Sequence, residues 1–146
     1  MKLLIINGPN LNLLGSREPD TYGNQTFAEY FEILKQKFPQ VELEYYQSNI
    51  EGELIDRLQA ADKVFDGIIL NAAAYTHTSV GIGDAVKAIA TPVVEVHISN
   101  TSAREEFRHR SFIAPNAKGV ILGFGLQSYE LAVQSFLSHN SSFINE

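Results

Sequence analysis

The chain contains no cysteine among its 146 residues, and this absence removes several chemistries together. Disulfide bonds, thiolate nucleophiles and cysteine-ligated metal ions are all excluded. Basic residues are also scarce, since 11 Lys and Arg stand against 17 Asp and Glu, for a formal net charge of −6. Such a balance argues against binding to nucleic acid or to an anionic membrane surface. An anionic ligand would need local cations and backbone N–H groups to hold it.

Long apolar runs and several familiar motifs are missing too. No stretch approaches the roughly 20 apolar residues that span a bilayer. The opening apolar run breaks at Asn7-Gly8-Pro9-Asn10, so we expect a buried first strand there and no signal peptide. The 4 histidines show neither HxH nor HxxxH spacing, which disfavours a metal site. The chain also lacks a GxSxG elbow, a Walker A loop and a strand-turn-helix GxGxxG.

Short apolar runs alternate with helical patterns along the whole chain. Four runs are continuous and rich in β-branched residues, as strands buried on both faces should be: Lys2–Ile6, Gly67–Leu70, Pro92–Val96 and Gly119–Leu122. Val41–Tyr46 alternates instead, which is typical of a half-exposed edge strand. Strands that alternate with helices predict parallel βαβ units. We therefore predict one α/β domain over residues 1–146, a flavodoxin-like three-layer sandwich with a parallel five-stranded sheet in the order 2-1-3-4-5.

Helix boundaries can be predicted from capping residues and apolar spacing. Thr26 with Glu29, and Ser48 with Glu51, have the spacing of capping boxes. A third helix is expected from about Ser79 to Ala90. The apolar faces of the other helices consist of Phe27, Tyr30, Phe31, Leu34 and Phe38 in the first, Leu54, Ile55, Leu58 and Ala61 in the second, and Tyr129, Val133, Phe136 and Leu137 in the last.

Polar residues cluster where the predicted strands end. The first strand runs into Asn7–Asn12, the third into Asn71 and then Tyr75–Ser79, and the fourth into His97–Asn100. The carboxyl ends of parallel strands meet at one edge of the sheet, where ligands bind in open α/β folds. These segments therefore predict a functional site at that edge. The alternative for the first segment is a plain turn, because Gly, Pro and Asn favour turns for backbone reasons.

Glu95 and His97 lie two residues apart in or beside an apolar strand, so they share one face of it. A buried carboxylate requires a partner, and we expect Glu95 to orient or polarise His97. His77 is a weaker candidate, since a lone histidine is more often structural. Further charged residues fit an ordinary solvated helix face equally well on their own: Asp84, Arg104 and Arg108.

The segment Leu13–Gly23 is too polar and broken for a helix or strand, and it has glycines near both ends. We interpret it as a mobile lid loop, because a segment of this length without secondary structure in a small domain is often functional. It carries Arg17 and Tyr22. The alternative is a simple surface connection, in which a tyrosine is common.

Taken together, these segments resemble the type II 3-dehydroquinate dehydratases over essentially the whole chain. One departure is visible, since the family usually reads Asn-Pro-Gly-Ala where this chain has Asn71-Ala72-Ala73-Ala74. That difference bears on the backbone after the third strand and on the placement of Asn71. The motifs that carry the resemblance are Gly8-Pro9-Asn10-Leu11-Asn12, Leu14-Gly15-x-Arg17-x-Pro19-x-x-Tyr22-Gly23, Tyr75-Thr76-His77-Thr78-Ser79, Glu95-Val96-His97-Ile98-Ser99-Asn100 and Arg104-Glu105-Glu106-Phe107-Arg108.

The resemblance implies a lyase without cofactor or metal, which converts 3-dehydroquinate to 3-dehydroshikimate and water by anti elimination through an enolate. Such enzymes serve the shikimate pathway or quinate breakdown, and the resemblance implies a cytoplasmic homododecamer built from trimers. The implied catalytic roles are base for Tyr22, its activator for Arg17, acid for His97 and water holder for Asn10. The implied substrate-binding residues are Asn71, His77, Arg108, the Ile98 and Ser99 backbone, and Asp84, which would reach a neighbouring subunit's site.

Two other classes share the expected fold. A flavodoxin-like redox or binding domain needs a Ser/Thr/Gly-rich phosphate cradle after the first strand, which this chain lacks. A receiver-type signalling domain needs acidic residues at the ends of the first and third strands, where this chain has Asn7 and Asn71. Both classes are therefore disfavoured.

We expect Tyr22→Phe to abolish nearly all turnover and to leave ligand binding mostly intact. A phenol with a pKa of about 10 costs roughly 4 kcal/mol to ionise at pH 7. A guanidinium about 4 Å from the phenolate stabilises it by a similar free energy at an effective dielectric constant of ~20, so one arginine is sufficient. Steady-state rates and equilibrium binding of the variant measure the two effects. A substantial residual rate would mean that another group is the base.

Overall fold

The computed structural model describes residues 1–15 and 24–137, and its centre is a five-stranded sheet in the order β2-β1-β3-β4-β5. All four neighbouring pairs are parallel. The predicted fold class and strand order are therefore confirmed. The strands are β1 (Lys2–Asn7), β2 (Glu42–Gln47), β3 (Gly67–Asn71), β4 (Val93–His97) and β5 (Gly119–Leu122).

Helices cover both faces of the sheet and make a three-layer arrangement. Alternate residues of a strand point to opposite faces, so Leu3 and Ile5 of β1 join one apolar cluster and Leu4 and Ile6 join the other. The first cluster includes residues of α1 and α4, and the second includes residues of α2 and α3. The helices are α1 (Phe27–Lys37), α2 (Glu51–Ala61), α3 (Val80–Ala88) and α4 (Gln127–Leu137).

One capping prediction is confirmed and the other is wrong. Thr26 begins α1 as predicted, and its Oγ1 accepts a hydrogen bond from the backbone N–H of Glu29 at 3.2 Å. The residue that precedes α2 is Ile50, which makes no side-chain cap. Ser48 lies two residues before it, where its Oγ accepts from the Ile50 N–H at 3.0 Å and donates to Glu53 at 2.5 Å. Ser48 therefore shapes the turn into the helix and does not cap it.

One edge of the sheet agrees with the sequence expectation and the other does not. β2 is a half-exposed edge strand as predicted. β5 was expected to be buried on both faces, but none of its residues is fully buried and Val120 is 42% exposed. The reason is its place in the sheet, because only β4 pairs with it among the described residues.

The carboxyl ends of β1 and β3 are held against each other at close range. The backbone N–H of Gly8 donates to the carbonyl of Asn71 at 2.7 Å. A Cβ atom at Gly8 would lie 2.6 Å from the carbonyl oxygen of Ala72, a distance that side chains do not tolerate. Glycine is therefore required at this position for a steric reason, and the two strand ends open onto the same space.

The backbone after Asn71 contains a left-handed residue that is not glycine. Ala73 has φ 52°, and its N–H donates to Oδ1 of Asn71 at 3.1 Å. Ala72 is fully buried. The departure from the family's Pro-Gly therefore leaves a left-handed turn with an alanine in it. Asn71 lies at the end of β3, 3% exposed.

Among the described residues, no helix is both long and apolar enough to cross a membrane.

We expect Ala73→Gly to raise the free energy of unfolding by about 0.5–1 kcal/mol. The left-handed conformation costs an alanine roughly 1–2 kcal/mol, and glycine's larger freedom in the unfolded chain removes part of that gain. Urea unfolding measures the change. The matched control is Ala60→Gly in α2, where the helical backbone makes glycine destabilising by about 0.5–1 kcal/mol. A less stable Ala73→Gly variant would contradict the assignment of strain to this residue.

Candidate active site

A cavity of about 270 Å³ opens at the carboxyl edge of the sheet, where β1, β3 and β4 end. Its position agrees with the site predicted from the polar strand ends. The cavity is lined by Pro9, Asn10, Leu11, Leu13, Leu14, Asn71, Ala73, Ala74, His77, His97, Ile98, Ser99, Thr101, Arg104 and Arg108.

Most of the predicted site residues that the structure describes lie in this lining. Glu95 does not line the cavity, because it is buried and reaches the site only through its contact with His97. Asp84 is exposed on α3 and does not line the cavity of its own chain. Tyr22 and Arg17 lie outside the described residues. The predicted site residues found in the lining are Asn10, Asn71, His77, His97, Ile98, Ser99 and Arg108.

The predicted lid segment, Leu13–Gly23, is described only at its beginning, residues 13–15. Leu13 closes a single 3-10 turn, and Leu14 is 6% exposed within the apolar core, so the first residues of the segment belong to the fold. Gly15 has φ 87°, and a Cβ there would lie 2.7 Å from the backbone of Gln25. Gly15 and Gln25 therefore lie close together, and Leu13 and Leu14 contribute to the cavity lining.

Glu95 and His97 form a buried acid–base pair at the end of β4. They are 2% and 6% exposed, and Nε2 of His97 lies 2.5 Å from Oε2 of Glu95. The second carboxylate oxygen accepts a hydrogen bond from Oγ of Ser111 at 2.8 Å. With Nε2 occupied, Nδ1 is the ring nitrogen of His97 left for the cavity. This arrangement suits a histidine that exchanges a proton with a ligand while a carboxylate stabilises its charged form.

His77 packs beside His97, with ring centroids 6.1 Å apart and planes inclined by 21°. Its Nδ1 lies 2.7 Å from the carbonyl oxygen of Arg110. A carbonyl can only accept, so Nδ1 carries the hydrogen and Nε2 presents a lone pair. Burial lowers the pKa of His77 below 6.5, against the opposing effect of the Arg110 carbonyl. A neutral imidazole in this place can accept a hydrogen bond from a ligand hydroxyl.

Asn71 is held in place by a buried tyrosine that the sequence analysis assigned only to a helix face. The hydroxyl of Tyr129, which is fully buried in α4, accepts from Nδ2 of Asn71 at 2.8 Å and donates to Oδ1 of Asn7 at 2.8 Å. Burial raises the pKa of Tyr129 far above its usual value, so the hydroxyl keeps its proton. The two strand-end amides are thereby fixed by one phenol.

The turn that carries Asn10 is supported by Gln47 at the end of β2 and by Asn49 just after it, a strand end for which the sequence predicted no site. Asn10 has φ 70°, and its N–H donates to Oδ1 of Asn49 at 3.0 Å. Nε2 of Gln47 donates to the Gly8 carbonyl at 3.1 Å and to the same Asn49 oxygen at 3.1 Å. The hydroxyl of Tyr75 donates to the Asn49 carbonyl at 2.7 Å. The cluster of polar residues following an alternating strand was the available signal.

Arg104 and Arg108 bring positive charge to the cavity, but they do not lie on one helix. Thr101–Ala103 and Glu106–Arg108 are separate 3-10 turns with an extended Arg104 between them. Nε of Arg108 donates to both carboxylate oxygens of Glu105, at 3.2 and 3.3 Å. Arg104 lines the cavity and donates to Oγ of Ser99 at 3.3 Å.

The environment of Glu105 favours its ionised form. Its own backbone N–H and then Arg108 lower the pKa of this carboxyl.

Over residues 1–15 and 24–137, no group of three or more His, Asp or Glu side chains could hold a metal ion.

Comparison with known proteins gives consistent matches over nearly the whole chain. The family model described as dehydroquinase class II matches residues 1–137. A protein named 3-dehydroquinate dehydratase from Synechococcus sp. (strain CC9605) is 53% identical over 141 residues, which are 95% of this chain and 97% of that protein. One of the same name from Exiguobacterium sp. (strain ATCC BAA-1283 / AT1b) is 56% identical over 140 residues, 95% of this chain and 96% of that protein.

Solved structures show the same likeness. The type II dehydroquinase from Butyrivibrio crossotus DSM 2876 superimposes with a TM-score of 0.90 at 44% identity, covering 94% of this chain and 98% of that one. The type II dehydroquinase from Propionibacterium acnes gives a TM-score of 0.88 at 37% identity, covering 95% of this chain and 97% of that one.

We expect His77 to be a neutral Nδ1–H tautomer at pH 7, with a protonation midpoint below 6.5. Because the unfolded chain binds this proton more tightly, the stability that His77 contributes is present above pH ~6.5 and is lost as the pH falls toward the folded pKa. Nitrogen-15 NMR of the histidine rings measures both tautomer and midpoint, and the spectrum of His77→Gln assigns the signal. A midpoint above 6.5, or a proton on Nε2, would refute the expectation.

Proposed function

We propose, since the chain belongs to the dehydroquinase class II family, that the Glu95–His97 pair supplies the acid of the family's reaction. The chain is a hydro-lyase that removes water from 3-dehydroquinate in the shikimate pathway. The single observation that carries the proposal is the 2.5 Å contact between a 2% exposed carboxylate and a histidine that lines the cavity.

The acid step follows from the charge distribution of this pair. An ionised Glu95 beside Nε2 stabilises the imidazolium form of His97, because the interaction takes place away from water. The imidazolium gives its Nδ1 proton to the departing hydroxyl of the substrate, which leaves as water. His97 becomes neutral in this step, and the electron pair of the broken C–O bond goes to the departing oxygen.

The base of the proposal is Tyr22 with Arg17. In support, Leu13 and Leu14, which precede Arg17 in the chain, line the cavity, and Gly15 lies close to the backbone of Gln25. The phenolate of Tyr22 takes the carbon-bound proton and leaves an enolate. The enolate then expels the hydroxyl and forms the carbon–carbon double bond. Asn10, which lines the cavity, holds a water molecule against the enolate oxygen.

The remaining polar groups of the cavity match the other parts of 3-dehydroquinate. Arg108 binds the substrate carboxylate in a charge-assisted pair. Its positive charge attracts the anionic substrate locally, although the chain as a whole has a net charge of −6. The neutral Nε2 of His77 and the amide of Asn71 bind hydroxyl groups, because both are fixed by hydrogen bonds to the fold. The backbone of Ile98 and Ser99 completes the binding surface.

The proposal also includes the assembly. We place the chain in a cytoplasmic homododecamer of trimers, in which Asp84 reaches the site of a neighbouring subunit. The support within the chain is the position of Asp84, exposed on α3 beyond the lining of its own cavity, near an exposed Val80 (55%) on the same helix.

Incubation with 3-dehydroquinate tests the proposed function. We expect the ultraviolet absorbance of a conjugated enone, unchanged by a metal chelator and without a lysine adduct on borohydride treatment. We expect His97→Gln to lower kcat by roughly 10²–10⁴-fold with a nearly unchanged KM, because general acid catalysis contributes that much. The control is His109→Gln, an exposed histidine outside the cavity lining. An inert folded wild type, or a His97→Gln variant at full rate, would overturn the proposal.

A further inference from the structure

We propose that Ser111 is a positioning residue, whose hydroxyl holds the carboxylate of Glu95 in the orientation that directs its other oxygen at His97. The inference rests on the proposed role of His97 as the acid. Ser111 does not line the cavity, and it lies 16 residues from Glu95 along the chain. Its action on the reaction therefore passes through Glu95.

The hydrogen bonds of Ser111 leave its hydroxyl proton only one direction. A serine hydroxyl has one donor and two acceptor positions. Oγ accepts from the backbone N–H groups of Ile113 at 3.1 Å and Ala114 at 2.9 Å. Both acceptor positions are thereby used, and the single O–H donates to Oε1 of Glu95 at 2.8 Å. Oε1 must therefore be the oxygen without a proton, and any proton shared with His97 lies along the contact between Oε2 and Nε2.

The segment that carries Ser111 is fastened to the rest of the fold. The backbone N–H of Phe112 donates to the Thr76 carbonyl at 3.0 Å, and Nδ2 of Asn116 donates to the Gly83 carbonyl at 3.1 Å. A Cβ at Gly83 would lie 2.2 Å from the Phe112 carbonyl oxygen, so α3 and this segment are in close backbone contact. The hydroxyl of Ser111 is therefore presented by a well-braced piece of chain.

Two successive residues of this segment orient the two stacked histidines. The carbonyl of Arg110 accepts from Nδ1 of His77, and the hydroxyl of Ser111 donates to the carboxylate that holds His97. Arg110 and Ser111, two neighbouring residues, thus set the orientation of both imidazole rings. Asn71 and Asn10 are held by other elements, which makes the effect of Ser111 separable from theirs.

The hydrogen bond from Ser111 also determines where the shared proton resides. A donor to a carboxylate stabilises its ionised form, and removal of the donor raises its affinity for a proton. Without Ser111, more of the shared proton lies on Glu95 and less on His97, so the acid is less available to the substrate. The resulting change in the pH dependence of the rate belongs to the pair as a unit.

Three substitutions at one position test this account. We expect Ser111→Ala to lower kcat about 10-fold and to leave KM within about 3-fold of the wild-type value. We also expect the limb of the pH–rate profile that is set by Glu95 and His97 to move upward by about one pH unit. Ser111→Thr keeps the hydroxyl and should restore most of the rate and the original limb. Ser111→Cys carries a weaker donor and should shift the limb by an intermediate amount. The control is Ser135→Ala, whose hydroxyl donates within α4 at 2.6 Å.

The outcomes separate a positioning role from a structural one. A Ser111→Ala variant with an unchanged pH profile would overturn the inference, even if its melting temperature fell. In a Glu95→Gln background, Ser111→Ala should cost little further rate, and a full additional loss would also count against it. If the wild type itself does not dehydrate 3-dehydroquinate, the proposed function fails first. Nitrogen-15 NMR titration of His97 in Ser111→Ala and wild type then decides the inference alone, with an unshifted midpoint as the refuting result.

Discussion

The close approach of the β1 and β3 ends is the constraint on which the site depends. Gly8 has no room for a side chain against the Ala72 carbonyl, and its N–H bonds the Asn71 carbonyl at 2.7 Å. The strand ends therefore present Asn7 and Asn71 to the same buried phenol of Tyr129. β4 pairs with β3 in parallel, so its carboxyl end, which carries Glu95 and His97, lies at the same edge of the sheet.

A buried carboxylate gives the site its chemistry and is also its main energetic liability. Transferring an isolated charge out of water is costly unless hydrogen bonds and an opposite charge replace the solvent. Glu95 has both of its oxygens engaged, one by His97 and one by Ser111. The same contacts that make the carboxylate tolerable in the fold also orient the histidine, so packing and reactivity rest on a shared set of bonds. A network of this kind is stable only when all of its members are satisfied.

Local patterns along the chain were sufficient to predict much of this architecture. The period-two alternation of strands placed Glu95 and His97 on one face, and the structure has them in contact. The N-cap at Thr26 was predicted correctly because its Oγ1 accepts a hydrogen bond from a residue only three positions away. The same reasoning was wrong at Ser48, since the motif spacing alone does not say where a helix begins, and α2 begins after Ile50. The prediction that β5 is buried on both faces was wrong, because the exposure of a strand depends on its neighbours in the sheet, which its own residues do not reveal.

By itself, the sequence determined the helices and strands, the strand order, the types of reactive residue and the family. Each of these follows from short-range residue spacing and from the order of the motifs. The tertiary structure alone decided which atoms meet. Tyr129 contacts Asn7 from 122 residues away, and Ser111 contacts Glu95 from 16. It also decided that Asp84 lies outside its own chain's cavity and that His77 presents Nε2. Such contacts depend on how layers pack across the sheet, and no local period records the distance between two residues that only folding brings together.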